Sequence, residues 1–510
     1  MGKLVAKNNF ITLLDRHGKA IKPRAVQEIY TGADTGRLMN DLPYSDYTAK
    51  STIQGNAERL RARARHLERN NDIVRRALYL VEQNVVGPNG IKLVSLARKS
   101  RSDDRVAQET ITREWVRFIK SADIRLRYQS FRQAMKMVCR LRVVDGEAFV
   151  ELMPGFGNQT RFSFRMIDPS HVPVGYNDDK RRISMGVEYD ENWTPVAYYV
   201  SDRNGDHRAT VGMFGEGRYR RVTADRMIHF FTPERPNQGR GVSMLSSPIQ
   251  RLHMLDQYEE ATLVGARIAS SKMGFFYDEV DDENAQPYSG ADTDESPAQV
   301  DPETGRAYEE ENFIDIEAGQ FEDIGTKKFT AFDPGYPPAG YDEYTSSILR
   351  SISAGLNIPY YQLSHDLRDV NYSTAREARL DAVDSWRDQQ GQLRDAVLDP
   401  IFDSWMKVQL LRPDFSAYTD ADIPRLSAHR WQFRGWSWID PQKEANANLL
   451  QVQMGIKAPS EIVAEQGRDY EQVIDQTAKD LELARSKGVD IETILYGSEW
   501  EETVTQNDDE

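Results

Sequence analysis

From Ser247 to about residue 273, apolar side chains recur at helical spacing, with Ile249, Leu252, Leu255, Leu263 and Ala266 on one face. Ser247 supplies an N-cap and Pro248 a first helical residue. The spacing therefore predicts a helix over 248–273, roughly 40 Å long at ~1.5 Å per residue. Its second half, "GARIASSK", is rich in small residues that let helices approach closely. The same period predicts helices over 56–85, 103–120, 130–140, 341–355, 441–454 and 459–487. A further helix starts at Thr374, where Thr374 and Glu377 have capping-box spacing, and runs to about 411 with a kink or restart forced by Pro400. Between 141 and 232 the period shortens toward two. "RVVDGEAFVELM", "RFSFRMID", "ISMGVEYDENWTPVAYYV" and "RVTADRMIHFF" alternate apolar and polar residues and are separated by Gly, Pro and Asn, as antiparallel strands are. "VVGPNGIKLVSL" reads as a turn into a strand, "HRWQF" as a short aromatic strand, and "NFIDIEAG" and "KFTAFD" as strand-like pieces. Helical and strand stretches segregated in this way place the chain in the α+β class.

Length changes this picture only by allowing two to four domains in 510 residues. No window approaches ~18 uncharged apolar residues, so no membrane span is expected. The opening "MGKLVAKNNFITLLDRHGK" has neither the apolar core nor the cleavage site of a signal peptide. The lone Cys139 excludes an intrachain disulfide and an all-Cys metal site, and its setting, "AMKMVCRLRVV", predicts a buried inert thiol. The expected compartment is cytoplasm, or a particle assembled there. Charge is more informative. Residues 278–323 hold seventeen acidic residues and one basic one, Arg306, a net of −16 that leaves +1 for the remainder of a chain at −15. One acidic module, disordered or a surface for partners, is inserted into a nearly neutral protein.

Catalytic patterns are sparse. G-x-x-x-x-G-K-[ST], H-E-x-x-H and G-x-S-x-G are all missing from the sequence. Asp168, Asp178 and Lys180 have the order of a metal-dependent nuclease, in which carboxylates hold Mg²⁺ and a lysine places the attacking water. The same residues in "IDPSHVPVGYNDDK" also suit turn starts. Asp281, Asp282 and Glu283 lack twelve-residue calcium spacing and read as a solvated rim. Trp431, Phe433, Trp436 and Trp438 suit core packing, with base stacking as the other reading. The arginine-rich 56–85 helix reads as a solvated element packing through Leu60, Leu67, Ile73, Ala77 and Leu80, or as a phosphate or partner contact. The loop in "LSHDLRDVNYSTAREARL" stands out, because His365, Asp366, Arg368 and Asp369 are carried on the end of a long helix.

"TPERPNQGRGVSMLSSPIQRLHMLDQYEEATLVGARIASSKMGFF" and "AGLNIPYYQLSHDLRDVNYSTAREARLDAVDSWR" resemble the portal proteins of tailed bacteriophages, specifically the lambda-like family. "NNDIVRRALYLVEQNVVGPNGIKL", "VVDGEAFVELM", "MIDPSHV" and "GWSWIDPQKEANANLL" fit in the same order, so the resemblance spans about residues 55–485. It implies a ring, usually of twelve subunits, at one capsid vertex, through which double-stranded DNA is packaged and ejected. It implies no hydrolytic activity, no cofactor and no metal. The implied parts are an N-terminal arm (1–50), a wing (51–247), a first stem helix (248–274), an acidic clip (275–340) and a second stem helix (341–358). A tunnel-loop region (359–373), the long kinked wing helix with its aromatic strand (374–439), a crown (440–490) and an acidic tail (491–510) follow. His365, Asp366, Arg368, Asp369 and Asn371 would then line the DNA channel. Asp281, Asp282, Glu283, Glu309, Glu310 and Glu311 would belong to the clip that docks the terminase large subunit and the head–tail adaptor. Major capsid and scaffold proteins are the remaining implied partners. The alternatives are the nuclease, or a capsid or scaffolding component without a channel.

Overall fold

The computed structural model describes residues 48–99, 102–120, 122–123, 130–156, 158–201, 219–270, 340–368, 371–436 and 441–487, and the strands 4–7, 10–13, 274–277 and 328–331. The chain divides into two compact units, Met1–Ile53 and Gln54–Glu510. In the first, β1 (Leu4–Lys7) and β2 (Phe10–Leu13) pair antiparallel, Leu4 opposite Leu13 and Lys7 opposite Phe10. The segment expected only as an arm thus contains a hairpin.

The single helix expected over 56–85 is two: α1 (Ala49–Asn70) and α2 (Asp72–Val81). Asn71 separates them because its extended backbone stops one helix while its side chain accepts from the Val74 N–H at 2.9 Å and caps the next. A π turn, Glu82–Val86, ends α2 at Gly87 (φ 83°). Then come β3 (Lys92–Ser95), the small pair β4 (Arg98–Lys99) and β5 (Ser102–Asp103), and α3 (Arg105–Ile119). The next helix, α4 (Phe131–Asp145), is opened by a Ser130–Gln133 capping box and closed by Gly146 in the left-handed region. The first strand residues expected, from 142, are therefore the last turn of α4.

Two antiparallel sheets follow. β6 (Glu147–Pro154) lies between β7 (Phe162–Ile167) and β12 (Met227–Phe231). The other sheet is a meander of β8 (Ile183–Ser184), β9 (Val187–Tyr189), β10 (Pro195–Ser201) and β11 (Tyr219–Thr223). Helix α5 (Ile249–Ser270), the antiparallel pair β13 (Gly274–Tyr277) and β14 (Lys328–Ala331), and α6 (Tyr341–Leu356) come next in the chain. After the short α7 (Tyr360–Ser364), α8 (Tyr372–Leu393) runs through a π segment, Arg394–Leu398, into α9 (Asp399–Gln409). The rest is α10 (Ile423–Leu426), β15 (His429–Gln432) paired with β3, and α11 (Pro441–Gln453), α12 (Pro459–Glu465) and α13 (Tyr470–Ser486). The architecture is α+β. The helix expected over 459–487 is split at Gly467, whose positive φ (73°) turns the chain.

The main core is aromatic. Trp115 lies against Phe118, Phe131, Phe402, Trp405 and Trp431, with ring centroids 5.0–5.6 Å apart. Trp431 is thus a packing residue, as its strand spacing suggests, and Phe433 and Trp436 lean on the same core. Cys139 is buried in this core, and burial pushes its thiol up to about 12. Helix α5 departs from expectation: Leu252 and Leu255 are buried, but Leu263 is 72 % exposed, so the helix leaves the core after two turns.

A second feature fixes the passage from sheet to α5. Glu147, fully buried, accepts from Arg61 (3.0 Å), from Arg240 Nε (2.8 Å), from the Gly241 N–H (3.0 Å) and, through Oε2, contacts His229 Nε2 at 3.0 Å. Next to it Arg65 donates to both oxygens of Asp145 (2.7 and 2.8 Å) and to Asp168 (2.7 Å). The inward side of the arginine-rich α1 is therefore paired with buried carboxylates. Leu60 is only half-buried. Gly241 must be glycine, since a Cβ there would stand 2.1 Å from the Gly146 carbonyl oxygen.

Candidate functional site

The segment singled out in the sequence sits where α6 and α8 are joined. Asn357 adopts positive φ (53°) and ends α6, Pro359 opens α7, and His365 ends α7 in the same left-handed conformation (φ 58°). Non-glycine residues take that conformation at a cost, with Asn and His among those that bear it best. His365 and Leu367 are therefore held outward at a sharp bend, and both are exposed.

Arg368 is not a free cation. Its Nη1 donates to Asp342 Oδ2 at 2.7 Å and its Nη2 to Asp342 Oδ1 at 3.0 Å, a bidentate pair with the first turn of α6. Its Nε and Nη2 also donate to the two oxygens of Asp366, each at 2.9 Å. The Tyr360 hydroxyl donates to Asp366 Oδ2 at 3.0 Å, and the Asp366 N–H donates to Ser364 Oγ at 3.1 Å. The hydrogen bonds from the Arg368 side chain hold the Asp366 carboxyl well below the usual carboxylate range, and the same partner lowers Asp342. The two carboxylates in turn raise the Arg368 guanidinium above its ordinary value. Two acids against one base leave the trio net negative, latching the loop to α6.

Asn371 has a structural task. Its Oδ1 accepts from the Thr374 N–H and the Thr374 hydroxyl, each at 2.8 Å, so Asn371 is the N-cap of α8. The start expected at Thr374 is corrected to Tyr372, with Thr374 inside the first turn. Asp369 lies outside the described residues, as do Asp281, Asp282, Glu283, Glu309, Glu310, Glu311 and Trp438. Asp342 and Tyr360 complete the latch and escaped sequence reading. Asp342 is 26 residues from Arg368, and an acid in a first helical turn looks like an ordinary dipole partner.

The nuclease triplet serves turns. Asp168 caps the short turn Pro169–His171 through the Ser170 N–H (2.9 Å), and with its bonds to Arg65 and Ser170 it is lowered to about 2. Asp178 accepts from the backbone N–H groups of Lys180 (3.0 Å) and Arg181 (3.3 Å). Among the described residues no group of three or more His, Cys, Asp or Glu is arranged to hold a metal ion, and no helix is long and apolar enough to cross a membrane.

The family model for phage portal proteins of the lambda family matches residues 35–390. The chain belongs to that family. It is 28% identical over 485 residues to the probable portal protein of Halomonas phage phiHAP-1, covering 93% of this chain and 88% of the relative. It is 23% identical over 490 residues to portal protein B of Escherichia phage lambda, covering 89% of each. Among solved structures, a chain in the neck of an empty gene transfer agent particle, computed with C6 symmetry, is 13% identical with a TM-score of 0.41, covering 80% of this chain and 93% of that one. A chain in the virion of the native gene transfer agent particle is 12% identical with a TM-score of 0.41, covering 82% and 93%. As a portal protein, the chain is a component of the virion, part of the connector between head and tail. The matched range contains the whole Asp342–Tyr360–Asp366–Arg368 latch and the Asn371 cap, and it ends in α8 just before the π segment.

Proposed function

We propose that copies of this portal protein, twelve in the complete ring, close around a channel through which double-stranded DNA is packaged and later ejected. In this reading α5 and α6 are the stem helices, 275–340 the clip, 359–373 the tunnel loop, 374–439 the rest of the wing and 440–490 the crown. The clip acids Asp281, Asp282, Glu283 and Glu309–Glu311 meet basic surfaces of the terminase large subunit and then of the head–tail adaptor. Major capsid and scaffold proteins surround the ring, and assembly takes place in the host cytoplasm. The subunit itself hydrolyses nothing.

The observation that carries the channel reading is the double carboxylate hold on Arg368. Phosphate contacts through free Lys and Arg give sequence-independent affinity that makes DNA stick. A loop that presents its arginine already paired, with His365 and Leu367 outward, offers a passing polyanion only weak attraction. Asp342→Asn combined with Asp366→Asn should free Arg368. Rings should still form, DNA retention should become stronger and steeper in its salt dependence, and packaging should slow. Deleting 365–370 should leave rings intact and reduce packaging or retention. Loss of rings in the deletion would make the loop structural and sink the assignment.

A further inference from the structure

Beside the latch, and separate from it, lie two adjoining hollows of about 390 and 170 Å³ that share Arg434 and Trp436 as a common wall. The larger is lined by Tyr79, Trp386, Val383 and Arg379, and the smaller by Arg387, Arg430, Gln432 and Arg468. Three features of this groove call for a ligand. First, the Arg434 guanidinium, half-buried, is bound only to neutral oxygens, Gln83 O at 2.7 Å and Asn84 Oδ1 at 3.1 Å. Burial and the neighbouring Arg379 push it below its ordinary value. Second, Arg468 has no carboxylate partner among the described residues, and the acids nearby are engaged elsewhere. Glu465 pairs with Lys457 at 2.6 Å, and Asp469 with Arg430 at 3.0 Å. Third, the side-chain amide of Gln432, more than nine-tenths buried, makes no hydrogen bond through either Nε2 or Oε1.

The third feature selects the ligand class. An amide with both ends unsatisfied needs a partner that accepts and donates at once, as a peptide group does, whereas a phosphate only accepts. The arginines add the need for carboxylates, and the Trp386–Trp436–Tyr79 wall suits an aromatic side chain. The chain holds such a segment at Glu499–Glu502, "EWEE", where Trp500 is flanked by acids. Reach is sufficient. Helix α13 starts one residue after Asp469, at the edge of the smaller hollow, and its 17 residues carry the chain ~26 Å away. From Lys487 to Glu499 a further ~40 Å of extended chain is available, enough to return. The acidic block at 278–323 is separated from this edge by the full lengths of α5 and α6.

We infer that this groove receives the acidic Glu499–Glu502 segment of its own chain, with Trp500 against the aromatic wall and its glutamates on Arg434 and Arg468. The test uses the full-length protein with p-benzoylphenylalanine in place of Trp500 and maps photo-cross-links by mass spectrometry. The expected products lie within one chain and join the tail to peptides containing 379–390 or 430–436. Arg434→Glu with Arg468→Glu should cut the yield roughly tenfold, and Arg434→Lys should restore part of it. Glu501→Lys with Glu502→Lys should cut it equally, with no means of unfolding the groove. Cross-links scattered over other surfaces, a product joining two chains, or a yield indifferent to charge reversal would each overturn the inference. So would displacement of the cross-link by a short DNA duplex, which would assign the groove to phosphate.

Discussion

At the scale of single residues, the most consequential arrangement is the buried anion Glu147, held by Arg61, Arg240, His229 and the Gly241 N–H. Burial opposes its charge, yet the Arg240 guanidinium and the His229 hydrogen bond win and hold its carboxyl below the ordinary 4.5. His229 is moved the other way by burial, below its ordinary 6.5, so its imidazole is neutral in the fold. Both shifts have the same consequence: each group binds its proton more readily when the chain is unfolded. Stability is therefore complete above about pH 6.5 and declines as pH falls, first through the histidine and, below about pH 4.5, through the glutamate. Urea midpoints measured between about pH 8 and 4 should follow that course. Glu147→Gln strands two buried guanidinium groups and should cost about 3–5 kcal/mol, read as a lower midpoint with unchanged slope. None of this is visible in the sequence. Seven arginines in one helical stretch look like a solvated face, and only the fold shows that Arg61 and Arg65 are answered by carboxylates some eighty residues on. Arg368, by contrast, was legible as a residue restrained by Asp366, because the two are neighbours in the chain.

At the scale of elements, periodicity located the helices and strands well because each buries one face, and it misplaced boundaries wherever a side chain decided them. Asn71 divides what reads as one helix, and Asn371 starts α8 ahead of the more conspicuous Thr374–Glu377 spacing. Pro400 marks an interruption in the sequence, but the form it takes is a π segment just ahead of it. That segment absorbs the missing N–H and the ring's bulk while Val397, Leu398, Ile401 and Phe402 stay in the core. The Asn371 cap can be tested on its own. Asn371→Ala should remove the acceptor for the Thr374 N–H and weaken the start of α8 by about 1 kcal/mol, while Asn371→Asp should keep it. Hydrogen exchange at Thr374 and its neighbours is the measurement. Faster exchange confined to that turn is expected, with the Asp342–Arg368 pair keeping the preceding loop in place.

At the scale of the whole molecule, α5 shows what the isolated subunit leaves unfinished. Tyr258 packs on Tyr341 and Tyr344 of α6, with centroids 5.7 and 5.0 Å apart, but beyond these contacts Leu263 and Val264 face outward. Those two positions sit on a helix whose expected apolar face runs its full length, so the pattern was legible while its partner was not: a sequence gives a face without saying what covers it. In the proposed ring, the missing cover is the stem of the next copy. Leu263→Glu is the sharp test, because the residue is solvent-facing in the single chain. The subunit should unfold within about 0.5 kcal/mol of the parent, as surface substitutions generally do. Assembly should respond differently, since each copy would bury one added carboxylate against the next, and an unpaired charge taken out of water costs several kcal/mol. Native mass spectrometry should then show folded single chains where the parent gives closed rings. If the variant closes rings as well as the parent does, the exposed half of α5 does not lie between subunits, and the stem assignment has to move to another pair of helices.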